Sequence, residues 1–140
     1  MCLTAADLRA IVRRERKGLR PFEVVPDPPY RLSRQALTGV YPKQCYVRAY
    51  RYAANHFETQ ALLVHGLYHD GKGHAWVEIP GGVVYDGVLN RFYQAEPYHL
   101  VKMTVPEAKY TPKEASEKGD AAWHFGPWHS EPEATRGDSG

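Results

Sequence analysis

Residues 74–88 constrain the fold more than any other stretch of the chain. Residues 74–79 and 83–88 are rich in β-branched and aromatic residues, and Pro80-Gly81-Gly82 separates them. Two such runs joined by a short, glycine-containing loop predict an antiparallel β-hairpin. Because few alternatives fit this pattern, we expect the core of the protein to be an antiparallel sheet.

The predicted loop also fixes which side chains share a face of the hairpin. With three loop residues, Ile79 faces Val83 and Trp76 faces Asp86. Since side chains alternate along a strand, one face carries a common set: His74, Trp76, Glu78, Val84, Asp86 and Val88. His74 and Asp86 then become diagonal neighbours, whereas a loop one residue longer or shorter would separate them.

Around the hairpin, the sequence predicts one helix and two further strands. Residues 44–57 form an apolar and aromatic run without glycine or proline, and Pro42 precedes it. This pattern predicts a largely buried helix, which we expect to cover the His74 face of the sheet. Residues 61–68 predict a buried strand, and residues 98–103 alternate weakly and suggest another.

Cys45 stands at the start of the predicted helix, which suits a nucleophile. A cysteine attacks as its thiolate, and free helix amides together with the positive end of the helix dipole favour that anion. His74 is the candidate base, and Asp86 would orient its imidazole. The backbone amide of Cys45 is the default oxyanion donor, the Gln44 amide is a second candidate, and Trp76 would wall the site or pack in the core.

These motifs resemble a known family. His74-Ala75-Trp76-Val77-Glu78, followed by Val84-Tyr85-Asp86 and preceded by the Cys45 helix, resembles the transglutaminase-like core of the papain-like superfamily over residues 44–93. The resemblance implies an α+β fold, a nucleophile helix packed on an antiparallel β-sheet, and thiol chemistry on peptide or protein acyl groups. Tyr46 stands where transglutaminases often have tryptophan, which favours a small cysteine peptidase or amidase, or an inactive relative, over a cross-linking enzyme.

The length of 140 residues accommodates one ordinary domain. We expect residues 1–105 to form it, beginning with a helix over residues 4–17, and residues 106–140 to form a polar, partly disordered tail. The net charge of +2 does not call for a nucleic acid partner. Basic residues crowd the first twenty positions, as either a solvated helix face or a patch for a nucleic acid or an acidic partner: Arg9, Arg13, Arg14, Arg16, Lys17 and Arg20.

The compartment and the state of the cysteines are further expectations. The chain has no run of 18 apolar residues, and its start lacks the order of a signal peptide, so we expect a cytoplasmic protein without membrane contact. In that setting Cys2 and Cys45 should be unpaired and Cys45 reduced. A buried, inert Cys45 is the plain alternative to a nucleophile.

Other polar and aromatic residues suggest less. Zinc held by Cys45 with His65, His69 and His74 is not predicted, because these histidines fall on different elements, and no cofactor is expected. Asn90 is a fallback for Asp86, although a turn role suits it better. Three late aromatics would dock on the core or on a partner: Trp123, Phe125 and Trp128. Together with the basic N-terminal helix, they support the second functional hypothesis, a catalytically inactive module that binds a protein or a nucleic acid.

Overall fold

The computed structural model describes residue 6 and residues 23–33, 35–37, 39–68 and 71–128, with the backbone alone of residue 101. In this part of the chain the strands are β1 Leu62–Leu67, β2 Gly73–Ile79, β3 Val83–Asp86, β4 Arg91–Gln94 and β5 Val105–Tyr110. The helices are α1 Cys45–Asn55, α2 Ala95–Lys102 and α3 Pro112–Ala122, with a short 3₁₀ helix at Gln35–Leu37. All strand pairs are antiparallel, in the order β4-β3-β2-β1-β5. The fold is therefore α+β.

The predicted hairpin is present as β2 and β3. Ile79 pairs with Val83 and Val77 pairs with Tyr85, which is the register of a three-residue loop. Gly81 and Gly82 have φ angles of 94° and 77°, a region that residues with a Cβ rarely adopt. The two glycines thus fix the loop length, and with it the face on which each side chain lies.

The sheet buries a separate cluster on each face. The α1 residues Ala49, Tyr52 and Ala53 pack on the face formed by Ala75, Val77, Ile79, Tyr85 and Phe92. The opposite cluster contains Cys45, Val64, Tyr68, Trp76, Val84, Val88, Leu89, Tyr93 and Tyr98. The expectation that the helix covers the His74 face was therefore wrong for the body of α1. Among its buried residues, Cys45 alone belongs to the cluster on that face.

Helix α2 covers the His74 face instead. The predicted strand over residues 98–103 was wrong, because Ala95–Lys102 is helical and Met103 ends it in the left-handed conformation. Strands β4 and β5 lie at opposite edges of the sheet, so the chain must cross a face between them. The apolar residues of this stretch pack on the face that the chain crosses. A helix can bury them along one side without hydrogen bonds to a neighbouring strand.

The predicted tail was wrong for residues 106–128. Strand β5 pairs with β1, and α3 packs against α1. Helix α3 starts with a capping box, in which Thr111 accepts from the Glu114 amide and Glu114 accepts from the Thr111 amide. Trp128 is buried against Tyr50 and Tyr110. A polar composition therefore concealed an amphipathic helix, while residues 129–140 lie outside the described part.

Of the N-terminal 33 residues, the structure describes residue 6 and residues 23–33. The predicted basic helix lies outside the described residues, apart from residue 6. The proline-rich connector is non-helical over residues 23–29, as predicted, and Val24 donates to the Phe92 carbonyl at the β4 edge. None of the described helices is long and apolar enough to cross a membrane.

Candidate active site

The first turn of α1 is fixed beside the end of β3. The Tyr41 amide donates to the Val88 carbonyl at 2.8 Å, and Arg48 Nε donates to the Gly87 carbonyl at 3.3 Å. A Cβ on Gly87 would lie 2.4 Å from the Arg48 Cβ, so only glycine allows this approach. These contacts hold the start of the helix, and Cys45 with it, next to the residue that precedes Gly87, which is Asp86.

Asp86 is fully buried at the end of β3 and is satisfied on both oxygens. Its Oδ1 accepts from the amides of Val88 and Leu89 at 2.9 and 3.0 Å, and its Oδ2 accepts from the Tyr98 hydroxyl at 2.7 Å. Burial alone would raise the pKa of Asp86. The His74 imidazole, the Tyr98 hydroxyl and the Leu89 amide outweigh burial and lower the pKa to about 2. Asp86 is therefore an anion at neutral pH.

His74 lies beside this carboxylate and is equally buried. Its Nε2 is 3.7 Å from Asp86 Oδ2, beyond hydrogen-bond length, and 3.0 Å from the Tyr98 hydroxyl. The rings of Tyr68 and Trp76 flank the imidazole, with centroids 4.4 and 5.7 Å away. Within the described residues, His74 Nδ1 is buried and has no hydrogen-bond partner. The imidazole is thus engaged through one nitrogen and unengaged at the other.

Cys45 begins α1 and is buried in the cluster that contains Tyr68, Trp76 and Tyr98, the three rings around His74. The expectation of a free thiol was wrong, because Cys45 is disulfide-bonded and no described cysteine is free. Cys2 is the only other cysteine in the sequence, and it lies outside the described residues. Spacing along a chain does not show which thiols a fold brings together. Cys45 can act as a nucleophile only after reduction.

Trp76 and Gln44, the two accessory residues predicted for the site, lie in different environments. Trp76 is fully buried beside His74, so it does wall this region while also packing in the core. Gln44 occupies the N-cap of α1, but its side chain is exposed and makes no capping hydrogen bond. The structure therefore does not bring the Gln44 amide to the buried pair.

Asn90 has a structural role in the turn after β3, in agreement with the prediction that it is a turn residue. It adopts a φ of 58°, and its Oδ1 accepts from the Tyr85 hydroxyl at 2.8 Å and from Arg48 Nη2 at 3.0 Å. Its Nδ2 donates to the Ala36 carbonyl at 2.7 Å. Asn90 thus joins α1, β3 and the 3₁₀ helix, and its side chain is committed to bonds that do not involve His74.

The described histidines other than His74 do not group into a metal centre. Among the described residues, no group of three or more His, Cys, Asp and Glu side chains is placed to hold a metal ion. His65 is buried among the rings of Tyr46, Tyr110 and Trp128, on the sheet face opposite His74. His69 lies outside the described residues.

Sequence reasoning missed Tyr98, whose hydroxyl contacts both His74 and Asp86. The weak alternation of residues 98–103 suggested a strand and gave no reason to turn Tyr98 toward the hairpin. A buried tyrosine does need a partner for its hydroxyl, and this need was the one available signal. It could not identify the partner, because the position of α2 follows from the strand order of the sheet.

We expect Gly87→Ala to destabilise the fold more than a glycine substitution in an open turn. The new methyl group would meet the Arg48 Cβ, which is not the end of a flexible side chain, at an expected cost of about 2–3 kcal/mol. Gly71 is the control, because a Cβ there meets no atom within 4 Å and its φ of 78° costs about 1 kcal/mol. Urea denaturation measures both losses, and equal losses would contradict the close approach.

The pKa of Asp86 predicts a pH dependence of stability. A folded-state pKa of about 2 against an ordinary 3.8 stabilises the fold above pH 4, and this stability is lost as the pH falls through 2. Between pH 5 and 2.5, Asp86→Asn should lose about 1.5 kcal/mol less unfolding free energy than the wild type. Urea titrations at both pH values measure this, with the exposed Asp120→Asn as control. Equal losses in wild type and Asp86→Asn would refute the assignment.

Comparison with known proteins does not identify a family for this arrangement. No family model matches the chain, and neither does any curated protein or solved structure. The function must therefore be argued from the residues around Cys45, His74 and Asp86 themselves.

Proposed function

We propose that the reduced protein is a cysteine hydrolase or acyltransferase, with Cys45, His74 and Asp86 as its catalytic residues. One observation carries the proposal: His74 is buried with Nε2 directed at Tyr98 and Asp86, while its Nδ1 has no hydrogen-bond partner among the described residues. A histidine held by one nitrogen leaves the other for proton transfer. The helix that starts at Cys45 is anchored at the same end of the sheet.

In the proposed reaction, His74 takes the Cys45 proton, and the thiolate attacks the acyl carbon of an amide or ester. Backbone amides of the first turn of α1 lack intrahelical acceptors and face the developing oxyanion, with the Cys45 amide as the default donor. The imidazolium then protonates the leaving amine or alcohol. Water or an amine attacks the acyl-enzyme, His74 again moves the proton, and the thiol is released.

The proposed fold relationship is the transglutaminase-like core of the papain-like superfamily. Its support is an order of elements: a cysteine at a helix start, a histidine near the start of one strand, and an aspartate at the end of the adjacent antiparallel strand. We propose a peptide or protein amide as substrate, which makes the enzyme a small thiol peptidase or amidase.

Reduction of Cys45 is a condition of this function. A sulfur atom in a disulfide cannot serve as the thiolate nucleophile, so the disulfide-bonded form should be inactive. A thiol reductant would release the nucleophile, and a cytoplasmic location, which we propose, would supply one.

The second candidate function is a non-catalytic binding module. Two observations favour it: Cys45 is disulfide-bonded, and Trp123 is 93% exposed. The other late aromatics argue against it, because Trp128 is buried and the Phe125 ring packs on Tyr50. A peptide or acidic protein partner would then meet Trp123 or the basic N-terminal segment. Thiol reactivity separates the two functions, since a binding module does not need an activated cysteine.

We expect iodoacetamide to alkylate Cys45 with an ionisation midpoint at about pH 6–7, well below the ordinary thiol value near 8.5. The measurement uses reduced protein carrying Cys2→Ser, so that a single thiol reports. His74→Ala should return the midpoint to about 8.5, because the imidazolium that stabilises the thiolate is gone. His124→Ala is the control, since His124 is remote from the site and bonds locally to the Gly126 amide.

The same data can refute the catalytic reading. A midpoint near 8.5 that is equal in the parent protein, His74→Ala and His124→Ala would show an ordinary thiol and favour the binding module. Protein with both native cysteines should not be alkylated at Cys45 until a phosphine reductant is added.

Acyl transfer itself can be measured with 4-nitrophenyl acetate. Reduced protein should release a burst of nitrophenolate equal to the enzyme concentration and gain one acetyl group on Cys45, as detected by intact mass and peptide mapping. Cys45→Ser should abolish the burst, and His74→Ala should slow it by about 10²-fold or more. An activated thiol that never forms the acetyl adduct would contradict acyl chemistry.

A further inference from the structure

A tyrosine hydroxyl stands between the proposed base and its carboxylate. We infer that Tyr98 is a positioning residue that transmits the charge of Asp86 to His74 and fixes the imidazole with its proton on Nε2. The catalytic meaning of this inference depends on the proposed function, but the proton assignment does not. It follows from the donors and acceptors around one buried hydroxyl.

The shorter hydrogen bond shows where the single Tyr98 proton lies. The hydroxyl is 2.7 Å from Asp86 Oδ2 and 3.0 Å from His74 Nε2. Burial and the neighbouring Asp86 charge raise the pKa of Tyr98 well above its ordinary value, so the phenol remains protonated. An anionic carboxylate is the stronger acceptor, so the O–H is donated to Asp86. The oxygen of Tyr98 is then free only to accept.

His74 Nε2 must therefore donate to Tyr98. If Nε2 were the unprotonated nitrogen, it would face the lone pairs of the phenol oxygen with no proton between them. A neutral imidazole has one N–H, so a protonated Nε2 leaves the lone pair on Nδ1. Nδ1 is the buried nitrogen without a hydrogen-bond partner among the described residues. The nitrogen that can take a thiol proton is thus specified through Tyr98.

The direct contact between His74 and Asp86 cannot replace this bridge. At 3.7 Å, Nε2 and Oδ2 attract each other electrostatically but do not share a hydrogen bond. Tyr98 is rigidly placed, because it is buried in α2 and its ring stacks on Tyr93 with centroids 5.7 Å apart. Ionisable side chains surround His74 from several elements: Tyr68, Asp86, Tyr98, and His99 across the Trp76 ring.

Nitrogen NMR of the reduced Cys2→Ser protein with ¹⁵N-labelled histidine tests the proton assignment. At a pH where His74 is neutral, Nε2 should carry the proton and Nδ1 should show the shift of an unprotonated nitrogen. A proton on Nδ1 would overturn the inference, whether or not the protein is an enzyme.

Tyr98→Phe tests the positioning role. The variant keeps the ring but removes the bridge, so the midpoint of Cys45 alkylation should rise by about one pH unit, and at a pH well below the midpoint the alkylation rate should fall about tenfold. In an Asp86→Asn background, Tyr98→Phe should have little further effect on the midpoint, because the negative charge that Tyr98 transmits to His74 is already absent. Tyr52→Phe is the matched control, since it loses a hydroxyl bonded to the Tyr30 carbonyl on the opposite face of the sheet.

The outcomes separate this inference from the proposed function. A His74-dependent thiol with an unchanged profile in Tyr98→Phe would overturn the positioning role and leave the proposed function intact. A thiol indifferent to His74 would overturn the proposed function. In that case, the bridge would still be supported if Tyr98→Phe altered the NMR shift of His74 Nε2 and Tyr52→Phe did not.

Discussion

The buried carboxylate of Asp86 requires hydrogen-bond donors from the surrounding chain. An ion removed from water costs several kcal/mol unless donors replace its hydration. Asp86 has two backbone amides on one oxygen and the Tyr98 hydroxyl on the other, with His74 close by. The amides require the chain to turn immediately after β3, and the hydroxyl requires α2 to cross this face. One charge therefore links a turn, a helix and the end of a strand.

The turn after Asp86 also positions the proposed nucleophile. Because Asp86 holds residues 87–90 in place, the Gly87 and Val88 carbonyls are presented to Arg48 and Tyr41. The Arg48 guanidinium further lies over the Tyr41 ring, 3.8 Å from its centroid. The start of α1 is therefore coupled to the carboxylate through backbone contacts that precede any chemistry. A change at Gly87 would move the cysteine as well as weaken packing.

The sequence predicted features that depend on local pattern. The two glycines after Pro80 determined the hairpin loop, and the hairpin register then placed His74 near Asp86. The start of α1 at Cys45 was also close to the prediction for residues 44–57. In each case the interacting residues are close in sequence, or the face on which they lie follows from the two-residue alternation of side chains along a strand.

Features that depend on distant partners were missed. The face on which α1 packs depends on both sheet surfaces, since each surface of the hairpin is apolar enough to be buried. The helix at residues 95–102 replaced a predicted strand because the chain had to cross from β4 to β5. Strand β5 and α3 were hidden by their polar composition, because an edge strand and a surface helix bury few residues.

The disulfide and the unpartnered nitrogen of His74 are best understood together. A sulfur atom in a disulfide carries no proton. In the oxidised state, a neighbouring imidazole nitrogen therefore has no S–H donor from Cys45. Leaving a buried nitrogen unsatisfied costs about 1–3 kcal/mol. If reduction gives Nδ1 a thiol partner, the reduced site regains part of this energy. The contact that would activate the proposed nucleophile would then also favour its reduced form. The redox state of Cys45 and its proposed reactivity would both depend on the His74 orientation that we assign to Tyr98.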